Sequence, residues 1–254
     1  MNAIDLFSTG RFKDAISAFQ QKLVDEPDDI AWIDGLAKSF LAVEDFRSAI
    51  PLLQRVHQHQ KRIPDSPGQL LEISCAHWCL EDRPRAMELA HELCEGIIKG
   101  SVNMAPDGAG GATFGLVLHY MAATAGNDAE RDYAVDYLQK LNVKYDKHPH
   151  RYFYPKHTVK QLLGEMSFED ALEGATHTQE GQTTTRNLTA AYRAAEINLT
   201  IKHRLGQVLF HDGAIRRAQG DEAGCMSRMK DVFALGYQTE SIRWYLARHE
   251  VQGR

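Results

Sequence analysis

Apolar residues recur through most of this chain three and four positions apart, the spacing of a helix that buries one face. The stretch from Ile30 to Ala42 shows it plainly: Trp32, Ile33, Leu36, Ala37 and Phe40 form one stripe with a small residue inside it. The pattern also repeats. GRFKDAISAFQQKL, from Gly10, aligns with EDFRSAIPLLQRVH, from Glu44. Phe12 falls on Phe46, Ala15 on Ala49, Ile16 on Ile50 and Phe19 on Leu53, each pair 34 residues apart. The alanine of each copy stands where two helices must come close. The phenylalanine three before it fills the turn end, and Phe19 or Leu53 continues the same face four residues on. Gly10 can end a helix in the left-handed conformation. Pro27 stops the next helix.

Less regular units follow. One fits Leu71–Cys94, where Ala86 lies 37 after Ala49 and the loop KRIPDSPGQ absorbs three extra residues. Met87, Ala90 and Leu93 continue its stripe. Another runs from about Thr113 to Leu141, with Ala134, Leu138 and Leu141 in matching places. From Lys144 to Ala175 the pattern loosens to a short helix over Thr158–Leu163, a turn at Gly164 and a second short helix capped by Ser167, with Asp170 three residues on. The polar stretch His177–Arg186 reads as a loop, and helix resumes near Asn187. A last unit spans about Lys202 to Leu235, and a helix over Glu240–Glu250 would close the stack.

A 34-residue period carrying Gly10, Phe12, Ala15, Phe19 and Pro27, then Ala37, Phe40, Phe46 and Ala49, resembles the tetratricopeptide repeat (TPR) family. Glu44 replaces the turn glycine of that pattern in the second copy. The resemblance implies an all-α, TPR-like helical-repeat solenoid of antiparallel helix pairs. It would form a single domain over 1–254, with two repeats in 1–60, two more in 67–143, an irregular helical segment with a polar loop in 144–200, and the last repeat and capping helix in 201–254. From about Arg151 to Glu250 the order Tyr154-Pro155, Leu163-Gly164, Ser167, Leu172, FHDG and QGDEAG is similar to the C-terminal part of bacterial TPR adaptor proteins of the lipoprotein type. It departs from them by an insertion around Thr176–Thr200. It also lacks a lipid-attachment cysteine, so envelope anchoring does not carry over.

Composition changes little in this picture. Hydrophobic residues make up 43% of 254 and charged residues 25%, values of an ordinary globular chain. The formal net charge is -5, acidic over residues 1–50 and mildly basic from His203 on, without the dense basic stripe that nucleic acid requires. No apolar run approaches the roughly 18–20 residues that span a bilayer. The N-terminus does not read as a signal peptide, so a cytoplasmic location is expected. Cys75, Cys79, Cys94 and Cys225 read as buried small hydrophobes.

Catalytic patterns are sparse. GAGGATFG, from Gly108, lacks the Gly-Lys-Ser/Thr of a phosphate loop and has Thr113 where a dinucleotide fold needs glycine. It reads as the lead into a helix. His148, His150 and His157 cluster with Tyr152 and Tyr154, but their spacing does not aim the rings at one metal, and the segment reads as a packed turn. No cofactor and no metal are expected.

The repeat resemblance implies a concave face lined by the first helix of each pair. Asp34 and Lys38 of the second unit, Trp78 of the third, His119 of the fourth, and His211 and Arg217 of the last are its candidate partner-binding residues; Trp78 equally fits an inter-helix core, His119 a buried and hydrogen-bonded position, and Lys38 and Arg217 a solvated face. The basic clamp that some TPR proteins use for C-terminal carboxylates is not expected, because its positions here hold Asp34, Lys38, Cys75 and Trp78. The expected function is a non-catalytic adaptor that binds a protein or peptide in that groove. A narrower version is an immunity or antidote protein that blocks a toxin. An alternative of a different class is a metal- or ligand-dependent enzyme built on the His/Tyr segment 148–157.

Overall fold

The computed structural model describes residues 2–60, 68–102, 111–146, 155–176, 190–236 and 242–253. Among the described residues the regular structure is entirely α-helical, and consecutive helices pack as antiparallel pairs. The chain divides into two units, Met1–Ala105 and Pro106–Arg254. The first holds α1 (Ala3–Ser8), α2 (Phe12–Asp25), α3 (Ile30–Ala42), α4 (Phe46–Gln60), α5 (Gly68–Cys79) and α6 (Arg83–Lys99). The second holds α7 (Ala112–Ala125), α8 (Asp128–Asp146), α9 (Pro155–Leu162), α10 (Phe168–Thr176), α11 (Ala190–Ala218), α12 (Glu222–Ala234) and α13 (Ile242–Gln252).

One turn recurs at the reversal of each hairpin. At the end of α3, Asp45 N–H donates to Phe40 C=O at 2.9 Å and Glu44 N–H to Leu41 C=O at 3.1 Å. Glu44 sits in the left-handed region at φ 64°. This six-to-one and five-to-two pair closes the helix by satisfying its last carbonyls. The same pair of bonds centres on Gly10 after α1, Glu81 after α5, Gly126 after α7, Gly164 after α9 and Gly220 after α11. In five of the six the next helix begins within two residues, so the chain reverses almost at once. Gly10, Glu44 and Glu81 are spaced as Ala15, Ala49 and Ala86 are. The sequence repeat is therefore the repeat of this turn together with the close helix contact that follows it.

In the first unit Ala15, Ala37, Ala49, Ala86 and Ala90 are fully buried where the paired helices meet. Gly35 of α3 lies so close to the Phe19 ring of α2 that a Cβ there would stand 2.5 Å from it. Trp32 packs against the same ring, 6.2 Å between centroids. Asp29 caps α3 by accepting from the N–H groups of Ala31 and Trp32. Helix α5 is buried nearly all round, through Leu71, Ile73, Cys75, Ala76 and Trp78. Its Ser74 hydroxyl donates to Ala86 C=O of α6 at 2.7 Å.

In the second unit α7 is the central helix. Every residue from Phe114 to Ala122 is buried, as expected for a segment apolar on all faces. Gly115 lets Tyr137 of α8 lie against its backbone, and Tyr137 donates to Gly111 C=O at 2.9 Å. Ser167 caps α10 by accepting from Asp170 N–H. The long α11 has 29 residues, roughly 43 Å. The sequence separates a helix resuming near Asn187 from a last unit beginning near Lys202. The structure instead runs one helix through both, because no glycine or proline breaks the stretch between them. The expected closing helix is α13. The expected loop His177–Arg186 and the glycines at 108 and 110 lie outside the described residues. No helix among the described residues is long and apolar enough to cross a membrane.

Three stability predictions follow from the backbone. Glycine relieves a left-handed residue at an exposed turn, where the Glu81–Arg83 ion pair contributes little. Glu81→Gly should therefore raise the unfolding free energy by about 0.5–1 kcal/mol, measured by urea denaturation. Gly115→Ala should lower it by about 1–3 kcal/mol, since the new methyl meets a ring pinned by its own hydrogen bond. Gly206→Ala, whose methyl would meet only Leu235 at an ordinary 3.7 Å, should raise it by about 0.5–1 kcal/mol. Equal effects at both glycines would contradict this packing.

Candidate functional site

Two places gather polar side chains: the interior of the second unit and a groove in the first. In the second unit, α7 contributes His119, Tyr120 and Thr124, α11 contributes His211 and Arg217, and α13 contributes Arg243 and Glu250. Arg217 donates to both Glu250 oxygens, from Nη1 at 2.7 Å and Nη2 at 3.2 Å. It donates also to Thr124 Oγ1 at 2.9 Å and, through Nε, to Glu222 of α12. Tyr120 adds its hydroxyl to Glu250 at 2.7 Å. Burial opposes the Glu250 anion, but the hydrogen bonds from Arg217 and Tyr120 outweigh it and hold the carboxyl below its usual range. Burial likewise opposes the Arg217 cation, and Glu250 more than offsets it.

Beside this pair lies a second contact. Arg243 donates from Nε to His211 Nε2 at 2.9 Å, with both residues buried. Burial holds the His211 imidazole well below its ordinary value, with Arg243 and His119 adding to the effect. His119 is lowered to about 4 by burial and by Arg131. His203 is also lowered to about 4, by burial and then by Arg243 and Arg204. These rings are neutral near pH 7. On the other side of α11, Asp212 accepts from Gln161 of α9, Arg216, and Arg228 of α12, at 2.9, 2.8 and 2.7 Å. The Arg228 guanidinium also lies over the Phe168 ring of α10, 4.3 Å from its centroid. Each carboxylate accepts three side-chain hydrogen bonds, and both clusters join helices.

In the first unit a groove runs between α4 and α6 and is floored by α5. Gln54, His57 and Gln58 form one wall, Leu70, Ile73 and His77 the floor, and Arg85 and Leu89 the other wall. The volume is about 290 Å³, at the lower end of ligand-sized clefts and enough for one or two side chains. Gln54, Gln58 and Arg85 are exposed, whereas Ile73 and Leu89 are buried. His77 Nδ1 lies 3.0 Å from Asp82, and Arg85 pairs with Glu88. The mouth is thus polar and solvated over an apolar floor.

The residues expected from sequence fall in three settings. Asp34 and Lys38 form an ion pair of 2.8 Å along α3, both about a quarter exposed. Trp78 is 2% exposed, with Arg83 over its ring at 5.2 Å. His119, His211 and Arg217 are brought together, but inside the second unit, where they contact α7, α11 and α13 of their own chain. Of the histidine segment, His148 and His150 lie outside the described residues, and the ring of His157 packs close to Gly174 of α10. Among the described residues no three His, Cys, Asp or Glu side chains are placed to hold a metal. The four cysteines are buried, and burial pushes the Cys225 thiol up to about 11.

None of the groove residues was singled out from sequence. A signal was present: Gln54, His57 and Gln58, then Leu70, Ile73 and His77, then Arg85 and Leu89 each follow three-four spacing. Which of several such faces meet depends on how three helices pack.

Removing one partner of a buried ion pair strands the other. Arg217→Met should therefore destabilise the protein by about 3–5 kcal/mol, and Arg217→Met combined with Glu250→Leu should recover much of that loss. Denaturant titration of the four proteins decides it; additive losses would mean that the two side chains are not coupled.

No family model matches the chain, and no curated protein matches it.

Proposed function

We propose that this protein is a non-catalytic interaction module that holds a segment of another protein in the groove between α4 and α6. The observation that carries the reading is the groove's own chemistry: exposed Gln54, Gln58 and Arg85 at the mouth and Leu70, Ile73 and Leu89 below. Such a cleft offers hydrogen bonds to a peptide backbone and an apolar seat for one side chain. We propose also that the hairpins of the first unit are TPR-like repeats. The 34-residue spacing, the buried alanines at 15, 49 and 86, and the common turn at Gly10, Glu44 and Glu81 support that reading. The partly exposed Asp34–Lys38 pair marks a second face of the same unit and is probed in the same way.

Peptides selected on the full-length protein from a random display library provide the test. A bulky side chain at the rim, Gln58→Trp, should weaken the selected peptides by about tenfold or more. Lys13→Trp on α2 and Lys38→Ala on α3 should leave them unchanged. A loss at Lys38 alone would move the binding surface to α3. Enrichment of no peptide would remove the reading.

A further inference from the structure

Helix α13 is fastened at two points on one face by groups with definite protonation demands. Arg243 and Glu250 are seven residues, two turns, apart. At the first point Arg243 Nε donates to His211 Nε2 at 2.9 Å. A guanidinium has no lone pair to offer, so this bond exists only while His211 Nε2 keeps its own. His211 must be neutral, and its Nδ1 finds no hydrogen-bond partner among the described residues. At the second point Glu250 must be ionised to hold Arg217. Between the two points Trp244, Tyr245 and Leu246 are buried, with the Trp244 indole donating to Phe233 C=O of α12 and its ring 5.8 Å from that of Phe233.

We propose that α13 is a closing helix released by acid: proton uptake by His211 breaks its bond to Arg243, and α13 leaves α11 and α12, uncovering their apolar faces. A protonated His211 would place a cation against Arg243 with no acceptor left between them. The groups facing His211 sharpen this. His119 faces it from α7 and Arg243 from α13. Its neighbour Asp212 turns away, to Gln161 of α9 and Arg228 of α12. Helix α10 meets α11 through Ala171 and Ala175 against Val208. No carboxylate among these contacts is placed to favour the imidazolium.

The sign follows from linkage. A histidine whose folded value lies below the ordinary 6.5 stabilises the closed form fully above that value, and the contribution is lost as pH falls toward the folded value. Release therefore begins before the native ring itself titrates, because the released form takes the proton first. Each imidazole uncovered shifts the equilibrium about tenfold per pH unit in this window. The Glu250 contact adds to the effect at lower pH, since its carboxyl, held below the usual range, loses its contribution as pH falls through the carboxylate range.

The test is fluorine NMR of the full chain labelled with 5-fluorotryptophan, which reads Trp32, Trp78 and Trp244 separately. Acidification from pH 7 should move the Trp244 resonance to its solvent-exposed position while Trp32 and Trp78 stay native. His211→Gln supplies an oxygen to Arg243 without a titrating ring, and the Trp244 midpoint should fall by about one pH unit. If that variant does not fold, Arg243→Gln, which removes the cation facing the imidazolium and supplies an oxygen to it, carries the same expectation. Simultaneous movement of all three tryptophans, or an unchanged midpoint in the variant that folds, overturns the proposal.

Discussion

The constraint on which this structure depends is the reversal of the chain at a single left-handed residue. A helix must satisfy its last carbonyls when it ends, and here two backbone hydrogen bonds do so while turning the chain back. Because the next helix starts at once, its first turns lie against the last turns of the one before. Small residues at the contact, such as Ala15, Ala49 and Gly115, then decide how closely the axes approach. Glycine serves the left-handed position at four of the six reversals, and glutamate occupies it at the other two despite the steric cost. The hydrogen-bond pattern is the same in both cases, so the turn is imposed by the pairing of helices rather than by glycine alone.

The two units use this device differently. In the first, the hairpin contacts are mostly apolar and small, and the buried polar groups include short ones such as Ser39 and Ser74, which bond backbone carbonyls. In the second, α7 is enclosed on all sides, and long polar side chains reach across its neighbours. Arg217 and Asp212 each gather several partners from different helices. Such networks add little net stability compared with an apolar core, but a wrong helix register leaves their charges unpaired. They therefore favour one arrangement of α7, α11, α12 and α13 over near alternatives.

Function and internal structure compete for the same residue types. Histidine, tryptophan and arginine at first-helix positions look like binding groups when a sequence is laid on a repeat pattern. In the second unit they are absorbed by the contacts that hold α13, while in the first unit the polar rim of the α4–α6 groove is made of glutamine, histidine and a single arginine. A partner there would meet amide and imidazole groups over an aliphatic floor, which suits a peptide backbone carrying one apolar side chain.

The sequence by itself determined the helical class, the positions of most helices and the register of the first three hairpins. Apolar spacing and glycine-marked turns are local properties, and Phe12–Phe46 and Ala15–Ala49 report them directly. Ser167 and Asp170 likewise announced the start of α10. Tertiary structure alone decided which polar side chains come together inside the second unit. His119, His211 and Arg217 lie on helices that the sequence locates well, yet His211 and Arg217 take their partners from α13, some 30 residues downstream. The groove was equally hidden, because three helix faces had to meet before Gln58, Ile73 and Arg85 became neighbours. Helix formation is written in short-range spacing, whereas a site is written in distances between segments that no local pattern records.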